Sequence, residues 1–266
     1  MPEPSALIVL GCGYAGSAIA RRAAGEGRRV VVTTRRDERR GALAAEGFEV
    51  ARTPADAADA RALVTDGAFV VVCIPPDGVT DSAIAPGLSR AGAITYISTT
   101  GVYGESRGRV DDATPVSDAP TSRAAQRLAA EDVYRALGAT VLRCPGIYGP
   151  DRGLHRRVIA GAHKIPGDGS RALSRIHVED LASFALASEK VRGETFVVGD
   201  AEPAPHGDVV RWICDAYGVP YPPSIPLEEA HETLRGDRRV DASRALDVLG
   251  VTLRYPSYRD GMRRAE

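Results

Sequence analysis

Hydrophobic positions along this chain fall into two alternating rhythms. Short runs rich in apolar and β-branched residues occupy Ala6–Leu10, Arg29–Thr34, Phe48–Arg52, Phe69–Ile74, Ala93–Ser98 and Thr140–Arg143. Several are continuously apolar, with no polar face, which predicts strands covered on both sides, as in a parallel sheet. Between them lie Ala- and Arg-rich stretches that predict helices near Tyr14–Gly25, Glu38–Ala45, Asp81–Ala91 and Thr121–Leu137. The alternation predicts an α/β fold: a Rossmann-like, doubly wound parallel sheet. After Pro145 the texture changes to Gly/Pro-rich loops around helices near Leu154–Ala162 and Asp180–Ser188, and Glu194–Val198 predicts a strand returning to the sheet.

The first crossover carries the chemistry. Gly11-Cys12-Gly13-Tyr14-Ala15-Gly16 joins the first strand to the first helix in a GxGxxG spacing. Gly11 suits a tight turn, Gly13 a close backbone approach to phosphates, and Gly16 close helix–strand packing. A helix N-terminus there offers unpaired N–H groups and partial positive charge to a dinucleotide pyrophosphate. An NAD site places Asp or Glu about twenty residues on, at the end of the second strand. Here Thr33 and Thr34 end that strand and Arg35 and Arg36 follow, with Asp37 and Glu38 opening the next helix. Guanidinium groups suit a 2′-phosphate, so NADP(H) is preferred and NAD(H) is the alternative. Ile74 and Pro75, at the end of the fourth strand, are assigned to the same site. The chain then reads as a single domain over 1–266, with a dinucleotide-binding core in 1–144 and a small substrate lobe in 145–266.

Composition narrows the partners. Thirty-four basic residues against 35 acidic ones leave a net charge of -1, so no global field recruits nucleic acid or an anionic membrane. No apolar run approaches the ~20 residues of a membrane span, and no leader-like N-terminus is expected. Cys12, Cys73, Cys144 and Cys214 are scattered, which fits reduced thiols and a cytoplasmic location. The five histidines form no metal-ligand spacing, so no metal is expected.

Four segments in order resemble the extended short-chain dehydrogenase/reductase superfamily, which includes NAD-dependent epimerase/dehydratase proteins. They are the Gly11–Gly16 turn, Ile97–Gly104, Leu142–Pro150 and Arg175–Ala182; Arg238–Leu246 and Leu253–Gly261 extend the likeness over nearly the whole chain. The resemblance implies that Pro145, Ile147 and Tyr148 lie along the nicotinamide, that His177 belongs to a lobe motif near the substrate, and that Thr99 stands where the family has a catalytic Ser or Thr. It also implies the possibility of a homodimer through the Thr121–Leu137 helix. The departure is equally informative. The family's TyrxxxLys pair is absent from the chain; aligned on Glu131, Arg123 stands in place of the Tyr and Arg127 in place of the Lys.

Arginine is protonated at all ordinary pH and cannot exchange protons as a phenol does. Arg127 can hydrogen-bond coenzyme ribose hydroxyls, and Arg123 can clamp a substrate carboxylate or phosphate; alternatively both are exposed helix residues, with Glu131 pairing to Arg127. Thr99 and Tyr103 are the candidate catalytic groups, against a packed-aromatic role for Tyr103 and a structural hydrogen bond for His177. The expected function is an NADP(H)-dependent oxidoreductase acting on a carbonyl, alcohol or imine of a small polar metabolite. The alternatives are a non-catalytic NADP(H)-binding redox sensor and an NAD-dependent nucleotide-sugar epimerase/dehydratase.

Overall fold

The structure, a computed structural model, describes residues 5–263. The first strands are β1 (Leu7–Leu10), β2 (Val30–Thr34), β3 (Glu49–Arg52), β4 (Phe69–Val72), β5 (Ala93–Thr99), β6 (Arg107–Val110), β7 (Thr140–Cys144) and β8 (Gly146–Tyr148). Later come β9 (Ile165–Pro166), β10 (Ala172–Leu173), β11 (Arg175–His177), β12 (Thr195–Val197), β13 (Ala204–Pro205), β14 (Ser224–Ile225) and β15 (Asp237–Val240). Helices are α1 (Tyr14–Gly25), α2 (Arg40–Ala45), α3 (Ala57–Leu63), α4 (Thr80–Ile84), α5 (Ser122–Arg135), α6 (Leu154–Ile159), α7 (Val178–Ala187), α8 (His206–Tyr217), α9 (Ser243–Leu249) and α10 (Tyr258–Gly261).

Seven strands form the central sheet in the order β12-β7-β5-β4-β1-β2-β3, with β1 pairing in parallel to both β2 and β4. The order reverses direction beside β1, which makes the sheet doubly wound and puts the β1–α1 turn at the switch point where such sheets bind ligands. β1, β2 and β4 are buried along their whole length, as continuous apolar runs require.

By internal contacts the chain forms two compact units. The first comprises Met1–Thr99, Ser122–Arg143 and Leu181–Phe196; the second comprises Thr100–Thr121, Cys144–Asp180 and Val197–Glu266. The first unit's core includes Ile8, Val70, Ile94, Tyr96, Tyr134 and Val141. The second unit holds a four-stranded sheet, β13-β10-β15-β6, the parallel pairs β8–β11 and β9–β14, and a core of Tyr148, Val158, Ile165, Val210, Ile213 and Tyr258.

Two expected helices are shorter than the spacing suggests. The stretch from Glu38 opens as a 3-10 turn, Asp37–Arg39, before α2 begins. The stretch from Asp81 leaves α-geometry after Ile84 and continues as a 3-10 turn over Ala85–Leu88, because Pro86 lacks an N–H to extend the ladder. Helices α3 and α8 arise where no helix is expected. Asp56 starts α3 by accepting from the N–H groups of Ala58 and Asp59. Among the described residues no helix is long and apolar enough to cross a membrane.

Candidate functional site

The glycine turn is built from two kinds of glycine. Gly11 has φ +92°, and a Cβ there would lie 3.0 Å from the Ile74 nitrogen and 3.1 Å from the Cys73 carbonyl carbon. A Cβ on Gly16 would lie 2.5 Å from the Gly11 carbonyl oxygen. Both are therefore demanded by the protein's own packing. Gly13 is not: its φ of -85° is open to any residue, and a Cβ there would meet nothing within 4 Å. The space beside Gly13 is open, and no side chain caps the first turn of α1. These residues fit a dinucleotide pyrophosphate.

Strand β2 holds the turn from behind. The Gly11 N–H donates to Thr33 Oγ1 (2.9 Å) and the Cys12 N–H to the Thr33 carbonyl (2.7 Å). Arg39, which the sequence reading passed over, anchors the same turn: it donates to the Cys12 carbonyl (2.8 Å) and to Ser17 Oγ (3.4 Å). Its signal was present in the basic run Arg35–Arg40, but its reach back to Cys12 is a tertiary fact. No carboxylate ends β2; Asp37 is exposed, 3.8 Å from Arg40. Arg36 is exposed, while Arg35 donates through Nη2 to Thr80 Oγ1 (2.8 Å) and Asp77 Oδ2 (3.2 Å). Thr80, through its hydroxyl and its N–H, holds the Asp77 carboxyl well below the usual range. Burial raises the Cys12 thiol and pushes the Cys73 thiol up to about 12, so neither is a thiolate near neutral pH.

Thr99 ends β5, half-buried, and Arg123 is exposed in the first turn of α5. Arg127 donates to the Tyr96 hydroxyl (2.8 Å) and the Ile97 carbonyl (3.2 Å), with its guanidinium carbon 5.6 Å from the Tyr96 ring centre. The expected Glu131–Arg127 pairing gives way to a different network. Glu131 is fully buried, accepts from Ser98 Oγ (2.5 Å) and Arg143 (2.8 Å), and is paired with Arg135 (2.6 Å). Burial raises its pKa, but Arg143, Ser98 and Arg135 outweigh that and leave it lowered.

The remaining candidates lie in the second unit. Pro145 and Ile147 are half-buried, and β8 runs parallel to β11 with Tyr148 opposite His177. The Tyr148 hydroxyl donates to the Ser257 carbonyl (3.3 Å), and burial raises its pKa. His177 stacks on Tyr255 with ring centres 3.7 Å apart and meets Tyr148 edge-on at 5.2 Å. Its Nδ1 accepts from the Glu179 N–H (3.2 Å), which places the proton on Nε2, and burial lowers its pKa to about 4. Tyr103 is 1% exposed and donates to the Asp111 carbonyl (3.3 Å). Thr99, Arg123 and Arg127 thus belong to one unit, and Tyr103, Tyr148 and His177 to the other.

Sheet order and glycine turn together define a Rossmann-type fold. The family described as NADP oxidoreductase coenzyme F420-dependent matches residues 6–100, the segment from β1 through β5. A functionally unknown conserved protein from Silicibacter pomeroyi is 30% identical with a TM-score of 0.82, covering 97% of each chain. The chain belongs to the same family as that protein. A 3-diazoavenalumate denitrifying reductase from Streptomyces is 31% identical over 175 residues, 58% of this chain and 58% of its own; the chain thus spans less than two thirds of that relative. At the level of fold, the UDP-glucuronic acid 4-epimerase from Bacillus cereus in complex with NAD is similar with a TM-score of 0.79 at 19% identity, covering 97% and 96% of the two chains. The family-model match and the Streptomyces relative are to proteins named as oxidoreductases, and NAD-dependent epimerases are neighbours at the level of fold.

Proposed function

We propose that the protein is an NADP(H)-dependent oxidoreductase that acts on a carbonyl, alcohol or imine of a small polar metabolite. The observation that carries the NADP(H) preference is the end of β2. Thr33 is occupied by the glycine turn, no carboxylate follows to accept from a ribose 2′-OH, and Arg35 and Arg36 come next. A planar guanidinium matches a phosphate with paired donors, whereas it gains little from a neutral hydroxyl. Gly13 and the uncapped start of α1 receive the pyrophosphate.

Bound nicotinamide supplies or accepts the hydride. The chain's own part is to bind, orient and exclude. Thr99 orients the substrate oxygen, Arg123 holds an anionic group of the substrate, and Arg127, with donors beyond those given to Tyr96 and Ile97, meets the ribose. Neither arginine moves a proton, so an acceptor that arrives protonated, such as an iminium, best suits this set. The Streptomyces relative is named a reductase, which favours hydride delivery over reversible oxidation of a nucleotide sugar.

The test is direct. NADPH and NADH dissociation constants are measured separately on the wild type and on Arg35→Ala/Arg36→Ala, and cofactor oxidation at 340 nm is followed across ketone and imine panels. NADPH is expected to bind at least about tenfold more tightly, with the advantage gone in the variant. Equal wild-type affinities would remove the reading. A redox-sensor role is favoured if NADPH binds tightly and no acceptor is reduced; the replacement of the Tyr and Lys by Arg123 and Arg127 is what keeps that reading in play.

A further inference from the structure

The second unit contains a cavity of about 370 Å³ that takes no part in the coenzyme reading. It lies between the end of α6, the approach to β9 and the segment after β14. Arg157 and Lys164 line it, and Lys164 is one of only two lysines in the chain. Among the described residues neither cation makes an ion pair, although 34 basic residues face 35 acidic ones and many arginines are paired. Glu229 is the one acid among the lining residues. His163 and His231 also line it, and Ile225, Ala230 and Leu234 supply an apolar patch.

The lining also reaches a buried histidine pair. His163, which lines the cavity, has its Nε2 2.8 Å from Nε2 of His206. They are 5% and 3% exposed. Burial holds both neutral, with pKa values lowered to about 4 and about 3, and the nearby charges of Arg157 and Arg175 push the same way. His206 Nδ1 is buried without a partner. An orphaned buried donor is costlier than an orphaned acceptor, so Nδ1 is the bare nitrogen and His206 donates from Nε2. His163 then accepts at Nε2 and carries its proton on Nδ1. The pair is therefore neutral and adds no negative charge to a cavity lined by two cations and one acid, Glu229.

We propose that this cavity binds a small organic acid, its carboxylate or phosphate between Arg157 and Lys164 and its apolar body against Ile225, Ala230 and Leu234. Two cations against one acid leave a net positive charge on a concave wall, which an anion bringing its own charge stabilises. The apolar side and the volume, at the small end for ligand cavities, select a body of about one ring over a bare inorganic ion. The proposal stands apart from the coenzyme reading, since it concerns residues of the second unit alone.

Calorimetry on the full chain without coenzyme separates the possibilities, using benzoate, phenyl phosphate, neutral benzamide and inorganic phosphate as probes. At least one of the two aryl anions is expected to bind about tenfold or more tightly than both benzamide and inorganic phosphate. Whether benzoate or phenyl phosphate is preferred identifies the anionic group. Arg157→Ala/Lys164→Ala should lose at least about tenfold without a change in melting temperature, since both side chains are exposed; Leu234→Ala should lose about threefold; Lys164→Arg should retain binding. Binding of benzamide or of inorganic phosphate as tightly as the better of the two aryl anions, an unaffected double variant, or no binding at millimolar concentration would each overturn the proposal.

Discussion

Gly13 and Gly16 lie three residues apart and answer to different partners. A methyl at Gly16 collides with the Gly11 carbonyl, so Gly16→Ala must displace α1 from β1. Overpacking of that kind costs about 1–3 kcal/mol, and the melting temperature is expected to fall along with coenzyme affinity. A methyl at Gly13 meets nothing, so Gly13→Ala is expected to leave the melting temperature within about a degree while weakening NADPH and NADH alike. A Gly13→Ala protein that binds coenzyme normally would show that the open space has another use. Arg39 extends the same argument. Its bond to the Cys12 carbonyl holds the turn rather than a phosphate, so Arg39→Ala should weaken both coenzymes about fivefold, from loss of roughly 1 kcal/mol. An effect confined to NADPH would place Arg39 on the 2′-phosphate instead.

At the scale of elements, β5, α5 and β7 are tied together through Glu131. The carboxylate is fully buried and is met by Ser98 from β5, Arg143 from β7 and Arg135 from its own helix. Removing one member of a buried charge cluster strands the others, so Glu131→Leu is expected to cost about 3–5 kcal/mol in denaturant unfolding. The pH dependence follows from the lowered pKa. Unfolded Glu131 takes up a proton at higher pH than folded Glu131, so its contribution is complete above about pH 5 and is lost as pH falls through the folded value. Wild-type stability should therefore decline more steeply with acid than that of Glu131→Leu; parallel curves would mean that the carboxylate is not held ionised. Half of this element-level picture was legible in advance. The glycine turn, strand β2 and helix α5 announce themselves because their signals are local: turn glycines, continuous apolar runs, helical spacing. The sequence offers Glu131 as a helix-surface partner of Arg127 only as an alternative, since spacing along a helix shows which neighbours are reachable and not which strand lies behind them.

On the scale of the molecule, acid should act strongly on the second unit. His163, His177 and His206 are buried and neutral, with values near 4, 4 and 3, against the usual 6.5. An unfolded chain binds those protons between pH 6.5 and about 4 while the folded chain does not, so stability falls as pH drops across that window. Asp200 works in opposition. Burial, partly countered by Arg175, raises its carboxyl to about 7, and that contribution is lost as pH rises toward 7. One carboxyl against three imidazoles leaves a net gain in stability from pH 4 to pH 6.5. A flat or inverted unfolding free energy over that range would show that the imidazoles are accessible to protons.

The sequence by itself determined the doubly wound α/β class, the position and spacing of the glycine turn, and the absence of a TyrxxxLys pair, because each is written in contiguous residues. Only the tertiary structure decided that Gly13 alone among the three glycines faces open space, that Arg39 braces the turn, and that Arg127 is held by Tyr96. It also decided that His163 and His206, 43 residues apart, share a hydrogen bond. Those facts depend on which strands and loops stand next to one another. That choice is made by burying the whole apolar surface at once, and no local run of residues encodes it.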